Sequence, residues 1–126
     1  MSTNYSKMSD FEINKAVASL IYSRSQTTTP YNHRPDVQVF HLNGTNEFFD
    51  YCNNPADAWP IIVANKISIV SLDNKWIAAP VDTVIDGITG DSEVCFYASY
   101  DAVSDVNPLR AAMIVFLMMQ EPKNAS

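Results

Sequence analysis

PLRAAMIVFLMM, residues Pro108 to Met119, is the stretch around which the chain is organised. The eleven residues from Leu109 to Met119 carry one charge, Arg110. Wound as an α-helix, they put apolar side chains on every face rather than in one stripe, the pattern of a helix buried in a core or set in a membrane. The run falls short of the roughly 18 apolar residues that a bilayer crossing needs, so its place is in a core. Asn107 is suited to cap the helix and Pro108 to its first position, where a missing N–H costs nothing. Pro122 stops it. The remaining chain is expected to build a sheet and further helices around this element.

Working outward, Glu93 to Tyr100 (EVCFYASY) reads as a strand, with Val94, Phe96, Ala98 and Tyr100 on one face. Lys66 to Leu72 and Lys75 to Ala79 read as two strands joined at Asp73-Asn74. Val37 to Leu42 alternates, with Val37, Val39 and His41 on one face, and Asn43-Gly44 turns the chain after it. Asn46 to Cys52 is short and aromatic, and its pattern does not separate helix from strand. Ser9 opens an amphipathic helix with a capping box: its hydroxyl can take the Glu12 amide and Glu12 can reach back. Ile13, Val17, Leu20 and Ile21 give that helix its apolar side, with Asn14 on another face. Asn54, Pro55 and Asp57 begin another helix. Pro60 forces a kink or a division in it, and Asn65 is the expected left-handed cap at its end.

Ser23 to Asp36 (SRSQTTTPYNHRPD) is a long polar loop carrying Arg24, Tyr31, His33 and Arg34. The expected fold is α+β: three helices with the C-terminal one buried, packed on a mainly antiparallel sheet of about four strands. At 126 residues the chain makes one domain, with 1–7 and 121–126 expected to be flexible.

A hydrophobic fraction of 47% is ordinary for a globular protein that folds without a disulfide or a metal. Cys52 and Cys95 form no Cys-x-x-Cys, and no apolar signal region follows the N-terminus, so a reducing cytoplasm is expected. The net charge of −6 argues against direct nucleic-acid binding, which rests on Lys and Arg neutralising phosphates. Asp82, Asp86, Asp91, Glu93, Asp101 and Asp105 form a run free of Lys and Arg. It reads as a solvated acidic face or as a surface for a basic partner.

No catalytic motif stands out. His33, His41, Cys52 and Cys95 are scattered without metal-ligand spacing. There is no Gly-x-Ser-x-Gly and no phosphate-cradling glycine loop, the chain having three glycines. His41, alternating within a strand, reads as structural. The most site-like group is aromatic and polar together: Phe48, Phe49, Tyr51, Asn53, Asn54 and Trp59. Arg110, a lone charge at the start of a buried helix, needs a partner, either Asp57, Asp105 or an anionic ligand. Tyr51, Asn53, Asn54, Trp59 and Arg110, with Arg24 and Arg34 of the loop, are therefore the candidate binding residues; no catalytic residue, metal site or cofactor is assigned.

Three segments, KMSDFEINKAVA, DYCNNPADAWPIIVANKISI and NPLRAAMIVFLMMQE, agree in order with one family. In them the chain resembles the NinX-like proteins of lambdoid phages and prophages, a family without an assigned biochemical function. The resemblance implies a bacteriophage accessory protein acting in the cytoplasm of the infected bacterial host, and it carries no catalytic residues across. Two functions from different classes follow. One is a non-enzymatic protein that binds and modulates a host or phage protein, with inhibition of a host defence as one form by analogy. The other is a binder of a small nucleotide-like ligand, using Arg24, Arg34 and the aromatics near Trp59. Catalysis is the least supported reading, and no membrane partner is expected.

Overall fold

The computed structural model describes residues 4–22, 26–28, 34–80, 85–86, 95–96 and 102–121. At its centre is α3, Pro108–Gln120, in which every residue from Ala111 to Leu117 is buried. Seven successive buried positions cover the whole circumference of the helix, as its unbroken apolar sequence requires. The Asn107 side chain caps it, accepting the amides of Leu109 and Arg110 at 2.9 and 3.3 Å.

Around it the fold is α+β, with antiparallel pairing between all the described strands. Helix α1 (Asp10–Ile21) begins with both hydrogen bonds of the capping box: the Glu12 amide donates to Ser9 Oγ at 3.1 Å, and the Ser9 amide to Glu12 Oε1 at 2.9 Å. Ile13, Val17 and Ala18 are buried against the core, but the stripe runs out at the helix end, where Leu20 and Ile21 are exposed. Asn14, expected on another face, is fully buried.

The strands are shared among three small sheets rather than gathered in one. β1 (Gln26–Thr28), β2 (Val37–Phe40) and β3 (Asn46–Phe49) form the first, in that order. The 23–36 segment is thus not an uninterrupted loop, because Gln26-Thr27-Thr28 lies along the free edge of β2, with Gln26 opposite Phe40. The turn between β2 and β3 closes through Gly44, whose φ of +90° suits a residue without a Cβ. This turn settles the aromatic segment after it as a strand, with Val37 opposite Phe49.

Helix α2 (Pro55–Asn65) comes between the first sheet and the second along the chain, and it runs through Pro60 as one element. The left-handed cap falls on Lys66 (φ 54°), one residue beyond the expected Asn65. Asn65 stays helical and spends its Nδ2 on the Ile61 carbonyl at 2.8 Å. The second sheet runs β4 (Ser68–Ser71), β5 (Trp76–Ala79), then β8 (Val103–Asp105), with β6 (Ile85–Asp86) and β7 (Cys95–Phe96) paired apart. Of the strand expected over Glu93–Tyr100, Cys95 and Phe96 lie within the described residues. Helix α3 packs on β4, β5 and β8 and on both other helices. Ala78 and Ala79 of β5 are small and fully buried where it lies.

The N-terminal stretch expected to be flexible contains a 3-10 turn, Tyr5–Lys7. The Tyr5 hydroxyl donates to Glu121 just past α3. Among the described residues no helix is long and apolar enough to cross a membrane.

Candidate functional site

Three aromatic rings stand in a row between the end of α1 and the start of α2. Tyr22, which caps α1, stacks on Phe49 with ring centroids 5.4 Å apart and meets the His41 ring edge-on at 5.0 Å. Phe49 lies nearly parallel to Tyr51, 5.3 Å away. Phe49 ends β3 and Tyr51 follows two residues on, a spacing that returns an extended chain to the same face. The opposite wall is α2, where Ala56, Pro60 and Ala64 recur every four residues and so share one face. Their side chains are short, which leaves an open groove of about 380 Å³ that reaches down to Phe116 of α3. That volume lies within the range of small-ligand and side-chain pockets.

The groove is apolar with a few polar groups, from Tyr22, Tyr51, Asp57 and Asn65. Tyr51 is 2% exposed, and its hydroxyl has no hydrogen-bond partner among the described residues. Burial first, then Tyr22, Asp57 and Glu47, push its ionisation far above the ordinary tyrosine range, so the phenol is neutral at any working pH. Tyr22 is pushed up too, by burial and then by Glu47 and Asp57. Asp57, in the first turn of α2, holds the Asp50 amide at 2.9 Å. Pro60 has no N–H, so the Ala56 carbonyl lacks its usual helical donor. No Lys or Arg lines the groove among the described residues.

Asp57 also stands in the wall of a second, polar cleft of about 400 Å³, shared with Arg34, Asp36, Phe48, Asn53 and Asn54. Arg34 is paired there with Asp36 at 2.7 Å, and its guanidinium lies 5.6 Å from the Phe48 ring centroid.

The expected binding residues are therefore divided. Tyr51 lies in the groove, while Arg34, Asn53 and Asn54 lie in the neighbouring cleft. Asn54 caps α2 by accepting the Ala56 amide at 3.0 Å. Trp59 is 60% exposed on α2 and lines neither. Arg24 falls outside the described residues.

Arg110 lines neither opening, although its partner Asp10 is bonded to Asn53 of the polar cleft. It bonds Asp10 at 2.6 Å, Asp105 at 3.3 Å, and the carbonyls of Met8 and Ser6 at 2.6 and 3.2 Å. Asp105 was an expected partner; Asp57 is not one of its contacts, and Asp10 is the nearest. Since Arg110 holds Asp105, the acidic run is not wholly free of cations, and Asp82, Asp91, Glu93 and Asp101 lie outside the described residues. Tyr22, Asp57, Pro60 and Phe116 were not named as site residues. The proline inside a helix signal was the visible mark of this wall, and the closure of Tyr22 onto Phe49 had no local signal.

A polar node adjoins the polar cleft, whose wall takes Pro35, Asp50 and Asn53 from it. Buried Asn14 donates to the Pro35 carbonyl and Asp50 Oδ1 at 2.8 and 2.9 Å, and accepts the Cys52 amide. Asn107 Nδ2 donates to the Cys52 carbonyl at 2.7 Å. Asn53 Nδ2 reaches Asp10 and Asp50. The Cys52 thiol is buried beside them, and burial, then Asp10, keeps it protonated and unreactive. All three segments that carried the resemblance, those of Asn14, Cys52 and Asn107, meet here.

Compared with known families, the chain matches the model described as Bacteriophage P22, NinX over residues 4–120. No curated protein and no solved structure matches it.

Proposed function

The chain belongs to the bacteriophage P22 NinX family, and from that premise we propose that this phage accessory protein acts without catalysis, by binding a host or phage protein in the cytoplasm of the infected cell. One observation carries the reading: large apolar side chains stand exposed on the two helices that border the groove. On α2, Trp59 is 60% and Val63 54% exposed, four residues apart and hence on one face. On α1, Leu20 and Ile21 are exposed at 47% and 42%, and Ile21 also lines the groove. Exposed tryptophan beside an aromatic pocket is the composition of an interface centre. A nucleotide-like ligand finds less support, since among the described residues no Lys or Arg lines the groove to receive a phosphate and Arg34 is held by Asp36.

The test is affinity capture from phage-infected cells through the infection cycle, with wild type against a Trp59→Ala/Val63→Asp double variant. A defined polypeptide that co-purifies in stoichiometric amount with wild type and is lost with the variant supports the reading. Recovery of no such polypeptide at any stage overturns it.

A further inference from the structure

The groove has a chemistry more selective than an apolar patch. Its polar groups are hydrogen-bond acceptors or can serve as such: the Asp57 carboxylate, the Ala56 carbonyl without its helical donor, and the Tyr51 hydroxyl. Burial is the main reason that Tyr22 and Tyr51 resist ionisation, and the carboxylates of Glu47 and Asp57 add to it in the same direction at both rings. No Lys or Arg among the described residues lines the groove to offset those carboxylates. Asn65 also lines it, with its Nδ2 taken by the Ile61 carbonyl, and the rest of the lining is aromatic or aliphatic. A buried hydroxyl without a partner is costly and is relieved by any ligand group that completes its bond.

We infer that the groove takes an arginine side chain of the partner protein, its methylene stem along Phe49 and Pro60 and its guanidinium among Tyr51, Ala56 and Asp57. The inference rests on the protein-binding reading above and names the chemistry of the bound segment. A guanidinium supplies several N–H donors in one plane and stacks on aromatic rings, so it suits an array of acceptors set among rings. Lysine offers a compact, strongly hydrated charge that is harder to bring into an apolar groove. The complementarity extends to the whole molecule, whose net charge of −6 draws a basic segment toward it.

The experiment is an amide NMR titration of the full chain with four capped residues: Nα-acetyl methylamides of arginine, citrulline, lysine and glutamate. Citrulline keeps the shape of arginine without its charge. The arginine probe is expected to shift the amides of Tyr22, Phe49, Ala56 and Asp57, lysine less, citrulline weakly and glutamate not at all. Asp57→Asn, which keeps an acceptor for the Asp50 amide, should weaken the arginine probe on the order of tenfold and leave citrulline unchanged. Tyr51→Phe, which keeps the ring stack, should weaken arginine and citrulline together. Equal shifts from arginine and citrulline, or no groove shifts at saturating probe, would overturn the assignment. If a captured partner depends on Trp59 and Val63 but is indifferent to Asp57→Asn, the binding function stands and the arginine assignment falls.

Discussion

The side-chain oxygen of Asn14 accepts the backbone amide of Cys52 at 3.0 Å, in a place where neither residue meets solvent. The same peptide unit's neighbourhood is closed from the other side, since the Cys52 carbonyl takes its hydrogen bond from Asn107. The chain between β3 and α2 is thus held by one asparagine from α1 and one from the cap of α3. The groove wall that begins at Tyr51 is positioned by this clamp.

Asn14→Leu keeps the volume and removes every polar contact. It leaves the Cys52 amide buried without a partner and takes a donor from the Pro35 carbonyl and the Asp50 carboxylate, at a cost of about 3 kcal/mol. Urea unfolding should show the midpoint falling with an unchanged slope. A variant as stable as wild type would show that the clamp does not matter to the fold.

Arg110→Ala strands Asp10 and Asp105 and two backbone carbonyls around a guanidinium site that is 12% exposed. The expected loss is on the order of 3 kcal/mol, the cost of breaking a largely buried pair from one side. Arg110→Lys should recover part of it, because an ammonium on a shorter reach cannot serve four acceptors in one plane. Full recovery by lysine, read in the same unfolding assay, would contradict this geometry.

The capping box gives a pH-dependent signal. Hydrogen bonding from the Ser9 amide holds the Glu12 carboxyl below its usual 4.5. A carboxyl depressed in the folded state adds stability above its unfolded value and loses it as pH falls through the folded value. The stability difference between wild type and Glu12→Gln should therefore be constant near neutrality and shrink below about pH 4.5. Ser9→Ala should cost about 1 kcal/mol at neutral pH. A Glu12→Gln difference that grows on acidification would reverse the sign and refute the box.

Phe116 and Tyr51 both face the groove, yet their truncations should act in opposite ways. Phe116→Ala opens a cavity beneath the groove and should cost about 3–5 kcal/mol. Tyr51→Phe deletes a buried hydroxyl without a described partner and should leave stability unchanged or raise it by up to about 1 kcal/mol. Thermal unfolding of the two variants distinguishes them; a marked loss in Tyr51→Phe would mean that its hydroxyl is bonded in the free protein.

What the sequence disclosed was what local rules govern. The burial of α3 follows from its unbroken apolar run, and the starts of all three helices follow from Ser9, Asn54-Pro55 and Asn107-Pro108. The two hairpins follow from Asn43-Gly44 and Asp73-Asn74. The burial of Asn14 is not legible in α1 itself, because its compensation comes from Pro35, Asp50 and Cys52, all remote in sequence. Gln26–Thr28 has no local strand signal, because a short polar strand exists only by pairing with an edge already in place. For Arg110, the neighbouring Asp105 was within sight, whereas Asp10 lies 100 residues away. The site was half legible: Phe49 and Tyr51 were singled out, but Trp59 was grouped with them by proximity along the chain, while a helix turns it to another side.

The central position of α3 also sets an order of events during synthesis. Helices α1 and α2 and strands β4, β5 and β8 all rest on it, and every one of them except α3 itself leaves the ribosome first. Until Pro108–Gln120 is made, α1 can close only against β1 and β2, and α2 and β5 lack the helix they pack on. Contacts so distant in sequence form late and slowly. The growing chain is consequently exposed to chaperones and proteases until α3 has been made, and it becomes resistant to them only when that helix docks into the place where folding needed it first.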